Sequence, residues 1–164
     1  MKLMFAGASL MLSAGVAMAD MSVQLMGGWD GNKVPAGQQC KLHGGNGSTP
    51  PMRIKGVPQG AVWIVAAFND KSYKPLSRNG GHGTIAFPAR GTTTDLPALP
   101  GMTNRLPKGA QVVAKAKSSG KYASAGYLPP CSGGKGNRYT VDLKAVDKQG
   151  KVLDEMRNVN IGRY

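Results

Sequence analysis

Residues 126–147 read GYLPPCSGGKGNRYTVDLKAVD, and the two halves of this stretch have opposite characters. From Arg138 to Val146 the residues alternate: Tyr139, Val141, Leu143 and Ala145 share one parity, and Thr140, Asp142 and Lys144 share the other. A period of two with apolar residues on one parity predicts a strand with one buried and one wet face. The first half has two prolines, a cysteine and glycines at 133, 134 and 136, with no period. Such a loop is stiff where proline fixes φ and permissive where glycine does not, and it can turn backbone N–H groups outward. Loops held by a rigid strand are where binding groups tend to sit.

Outward from this stretch, the chain reads as a series of strands. Residues 61–68, AVWIVAAF, run apolar without alternation after the proline-glycine turn Val57-Pro58-Gln59-Gly60. This predicts a central strand covered on both faces. Shorter strands are expected at 22–25, 40–42 and 110–116, and residues 84–87 form a brief apolar segment. Residues 90–106, rich in proline and threonine, are expected to form a long ordered loop. Asp147-Lys148-Gln149-Gly150 suits a type I hairpin turn, which would return the chain as an antiparallel strand over 151–161. No amphipathic helix longer than ten residues, no repeat and no dividing linker is legible. The fold class is therefore mostly β, with residues 20–164 as one domain.

Residues 1–19 carry Lys2, an apolar run and Ala17-Met18-Ala19, the small-residue pattern of a cleaved secretory signal. The run is short for a stable membrane span. A periplasmic or secreted protein is expected, and export places Cys40 and Cys131 in an oxidising compartment, where a pair of cysteines is most simply a disulfide. A rival assignment is a metal site, with Cys40 and His43 as a C-x-x-H half-site completed by His82 and Cys131. The second pair lacks a close ligand spacing.

The formal charge is +13, and it is uneven. No acidic residue lies between Asp95 and Asp142, whereas Arg105, Lys108, Lys115, Lys117, Lys121, Lys135 and Arg138 all do. Such a surface favours anionic partners: a phosphorylated head group, an acidic protein or a glycan. It also serves solubility alone. Nucleic acid is disfavoured by the lack of a reader motif. There is no G-x-S-x-G elbow, Walker loop, H-E-x-x-H or G-x-G-x-x-G, so the reading is non-enzymatic and without a cofactor.

GYLPPCSGGKGNRYTVDLKAVD resembles the G-Y-x-G-P-C-P-P-x-G-x-H-R-Y-x-F-x-L-x-A-L-D signature of the phosphatidylethanolamine-binding protein family, also called Raf kinase inhibitor-like proteins. Other segments fall in the family's order. Residues 46–51 are similar to its N-x-S-P loop, and Val57-Pro58-Gln59-Gly60 with the strand that follows to its V-P-x-G-T-x-S segment. Asp70 stands where its D-P-D-A-P loop begins, and His82 where its His-Trp pair falls. The resemblance implies an antiparallel β-sandwich with a small anion pocket at one end, taking phosphate or phosphorylated head groups. Carried over, Asp70, His82, Cys131, Arg138 and Tyr139 match. The departures are Asn137 for the histidine before Arg-Tyr, Ser72 for the second aspartate, and Gly83 for the tryptophan. The family's C-terminal helices give way to the 151–161 hairpin. Two outcomes stay open: a working anion site that includes Asn137, or an intact scaffold whose pocket is only structural. The rival functions are a basic protein that docks an acidic macromolecule, and a Cys/His metal-binding protein.

Overall fold

A computed structural model describes residues 20–164; the signal assigned to residues 1–19 lies outside them. Their regular structure is eight strands and three short 3₁₀ turns. No helix among them is long and apolar enough to cross a membrane. The strands are β1 (Ser22–Leu25), β2 (Met52–Lys55), β3 (Trp63–Asp70), β4 (Thr84–Pro88), β5 (Thr93–Leu96), β6 (Gln111–Ala114), β7 (Arg138–Val146) and β8 (Val152–Arg163). They form two antiparallel sheets, β1-β2-β5 and β6-β4-β3-β7-β8.

The alternation in β7 is realised. Tyr139, Val141, Leu143 and Ala145 are all buried. They meet the buried residues of β3 and β4 in register, with Ile64 opposite both Phe87 and Ala145, and Ala66 opposite both Ile85 and Leu143. Met52 and Ile54 of β2 and Leu96 of β5 supply the facing side of the same core. Burial of these side chains, at roughly 1.5–3 kcal/mol each, holds the two sheets together.

Four expectations need correction. β3 is not covered on both faces: Ile64, Ala66 and Phe68 are buried, but Trp63, Val65 and Ala67 are half-exposed. Their outer face lies beside Lys144 and Asp142 of β7, and no helix among the described residues packs on it. Residues 40–42 do not form a strand; Lys41–His43 is a 3₁₀ turn closed by Gly44 in the left-handed region. The expected 90–106 loop contains β5, whose alternating Thr94 and Leu96 face the core. Thr140 sits on the expected wet face, yet it is fully buried. It pairs with Asn69, whose Oδ1 accepts from the N–H groups of Gly80 and Gly81 and ties the 71–83 loop down over that end of the sheet. β2 was not anticipated.

The end of the sheet where β3 finishes is also where β7 begins and β4 begins, because β4 and β7 both run antiparallel to β3. The loops after β3, before β4, after β6 and before β7 therefore converge there.

Candidate functional site

Asp70, the last residue of β3, stands opposite Tyr139 of β7, and His82 lies two residues ahead of β4. Topology alone brings these three chain segments together. The Asp70 carboxylate is buried; Oδ1 accepts the Ser72 N–H at 2.9 Å and Oδ2 accepts the Asn137 amide at 2.7 Å. A carboxylate only accepts, so the Asn137 group facing it must be the NH₂ end. Ser72 in turn accepts the Arg138 N–H through its Oγ. The two loops are thus pinned to each other by the same residues that depart from the family pattern.

His82 is 3% exposed, and its Nδ1 lies 2.8 Å from the Leu128 carbonyl. A carbonyl cannot donate, so Nδ1 carries the proton and Nε2 carries the lone pair. Burial pushes the His82 pKa down, against the smaller opposing effects of the Leu128 bond and the Asp70 charge. The ring is therefore a neutral imidazole at neutral pH. Its edge meets the Tyr139 ring, with centroids 5.3 Å apart. Burial, with the Asp70 charge adding to it, pushes the Tyr139 phenol up to about 12, so it too stays neutral. The Tyr139 hydroxyl accepts the Cys131 N–H at 3.2 Å.

These groups line a cavity of about 420 Å³. Asp70, His82, Cys131, Asn137 and Tyr139 all contribute to it. Its remaining wall includes Lys117, Ser118 and Ser119 after β6, Lys135 from the glycine loop, and the rings of Tyr73 and Tyr122. Gly133, Gly134 and Gly136 have φ of +70°, +78° and +77°, a run of left-handed residues that an ordinary side chain would oppose. The N–H groups of residues 133–137 donate no hydrogen bond within the described residues. Arg138 does not line the cavity; its guanidinium reaches Asn160 at 3.5 Å. Sequence reasoning placed Lys117 and Lys135 only in a diffuse basic run. It missed Tyr73 and Tyr122, for which no local signal exists.

Cys40 and Cys131 form a disulfide with Cα atoms 5.2 Å apart, so among the described residues no cysteine is free. A site that uses both thiolates with His43 and His82 is closed while this bond stands. Gly83 explains another departure. Its φ is +106°, and a Cβ there would stand 2.7 Å from the Gly126 carbonyl oxygen. The backbone leaves no room for a tryptophan after His82.

The described residues form an antiparallel two-sheet sandwich with a cavity at one end. No family model matches the chain, and neither does any curated protein. Among solved structures, it is similar to the crystal structure of a phosphatidylethanolamine-binding protein homolog from Chlamydia trachomatis. The TM-score is 0.53 at 21% identity, covering 83% of this chain and 92% of that one. The chain therefore has the fold of phosphatidylethanolamine-binding proteins.

Proposed function

We propose that the protein is an exported, non-enzymatic binding protein whose end cavity takes a small oxyanion, either phosphate or a phosphorylated head group. One observation carries this reading. Neutral, buried His82 and Tyr139, with the half-buried amide of Asn137, line a cavity whose wall brings in Lys117 and Lys135, with unused N–H groups at 133–137 beside it. The one carboxylate, Asp70, is engaged by Asn137 and Ser72. Two ammonium groups, serine hydroxyls and free backbone donors suit an acceptor-rich ligand. A fold alone does not assign a function, so the weight rests on this set of donors. The disulfide accords with an oxidising compartment.

The test is a thermal-shift screen of residues 20–164 against phosphate, phosphoethanolamine, glycerophosphate and acetate at low and moderate salt. A ligand at a hundredfold excess over its Kd stabilises by about 2.7 kcal/mol. Saturable stabilisation by a phosphorylated compound that largely survives added salt supports the reading. No shift with any of the four overturns it. Stabilisation that collapses steeply with salt, given only by large polyanions, favours docking of an acidic macromolecule by the basic rim.

A further inference from the structure

The Cys40–Cys131 disulfide has a third neighbour that the cavity does not use. The 3₁₀ turn Lys41–His43 starts from Cys40, and the spacing of three residues in such a turn stacks Cys40 and His43 on one side. The two sulfurs and a ring nitrogen of His43 lie within 4.8 Å of one another. Nε2 of His43 is buried, and it has no hydrogen-bond partner among the described residues. A buried ring nitrogen left unpaired is costly. The ring is also held closely. A Cβ on Gly133 would come within 3.1 Å of its Cε1, and the Tyr164 ring lies 6.4 Å away. The main chain fixes the cluster too: the His43 N–H donates to the Cys40 carbonyl at 3.0 Å, and the Cys40 N–H donates to that of Pro130, next to Cys131.

We propose that Cys40, His43 and Cys131 form a redox-gated site for a thiophilic d¹⁰ cation of the zinc class, closed by the disulfide and opened by its reduction. A dithiol or phosphine delivers two electrons to the S–S bond, each sulfur takes one proton, and the reductant leaves oxidised. Binding of the cation then displaces both thiol protons, while a ring nitrogen of His43 supplies the third ligand. The cation itself changes no oxidation state. Three protein ligands leave a fourth tetrahedral position to water or an exogenous group. The site needs only His43 and the two sulfurs, so it stands or falls independently of the anion cavity.

The experiment is a cobalt(II) titration of residues 20–164, first oxidised and then reduced anaerobically with a phosphine, followed by displacement with zinc(II). The reduced protein is expected to bind one cobalt with thiolate-to-cobalt charge-transfer absorption, and the oxidised protein to show none. His43→Ala should weaken binding in the reduced protein roughly tenfold or more, since even groups that only orient a ligand are worth that much. No charge-transfer band on reduction, or equal affinity of wild type and His43→Ala, overturns the proposal. Should reduction unfold the chain, melting curves with and without zinc decide. A cooperative transition restored by zinc in wild type and not in His43→Ala supports the site; no restoration overturns it.

Discussion

Replacing His82 by phenylalanine tests the electrostatics of the cavity floor most directly. The exchange keeps an aromatic ring against Tyr139 but removes the Nδ1–H that the Leu128 carbonyl accepts at 2.8 Å. That carbonyl is buried and is left without its donor, at a cost of about 1–3 kcal/mol at pH 8. The pH dependence is the sharper readout. In the folded protein burial holds the His82 pKa below its ordinary value of 6.5, whereas in the unfolded chain the ring titrates near that value. Below it the unfolded state binds more protons, so this group's contribution is present above pH 6.5 and is lost as pH falls toward the lowered folded value. The slope has a ceiling of about 1.4 kcal/mol per pH unit. Urea unfolding at half-unit steps from about pH 8 to pH 5, above most of the carboxylate range, isolates this contribution. Wild type should lose stability across the lower half of the range, and His82→Phe should be flatter by that amount. Parallel curves for the two proteins would refute a buried neutral His82.

Three further outcomes are expected. Cys40→Ser with Cys131→Ser opens a loop of sequence separation 91 and should lower unfolding free energy by about 4–5 kcal/mol in denaturant titration. Gly83→Ala combines a φ of +106° with a 2.7 Å approach to the Gly126 carbonyl, so it should cost at least about 1–3 kcal/mol and lower the melting temperature. Lys117→Gln with Lys135→Gln, at the cavity wall, should weaken phosphate binding by about tenfold or more in calorimetry while leaving the melting temperature of the free protein nearly unchanged.

The strands that alternate or run apolar between turns were readable in the sequence: β1, β3, β6, β7 and β8 fall where expected, within a few residues at their ends, and β4 falls on the segment read only as brief and apolar. Periodicity carries that information because the two-residue repeat is a property of the backbone itself. β2 and β5 were not readable. Met52–Lys55 and Thr93–Leu96 are four residues each, with a charged or polar residue at every other position and loop-like sequence around them, and their pairing partners, β1 and β5 for β2 and β2 for β5, lie far along the chain. The doubly buried reading of β3 failed for a related reason. Its composition is apolar on both parities, but what covers the outer face is decided by distant parts of the chain. Asp70, His82, Cys131, Asn137 and Tyr139 were chosen from motif order, and the structure gathers all five around one cavity. Arg138 was chosen by the same rule and points elsewhere, since a motif gives a position and not a direction. Tyr73, Tyr122 and the lysines of the wall come from loops without a pattern. Their proximity is a fact of three dimensions only.

β3 and β7 are neighbours in the sheet, yet Asp70 and Tyr139 belong to segments separated by nearly half of the domain. The Asn137–Asp70 bond spans 67 residues. Closing so large a loop loses chain entropy before any contact compensates for it, which places such topologies on the milliseconds-to-seconds side of folding kinetics. The cavity can exist only after that closure, so no early, partly folded form holds Asp70, His82 and Asn137 together. On the proposed function, ligand capture requires that closure, and the recovery of phosphate binding during refolding would time the long-range pairing of β3 with β7.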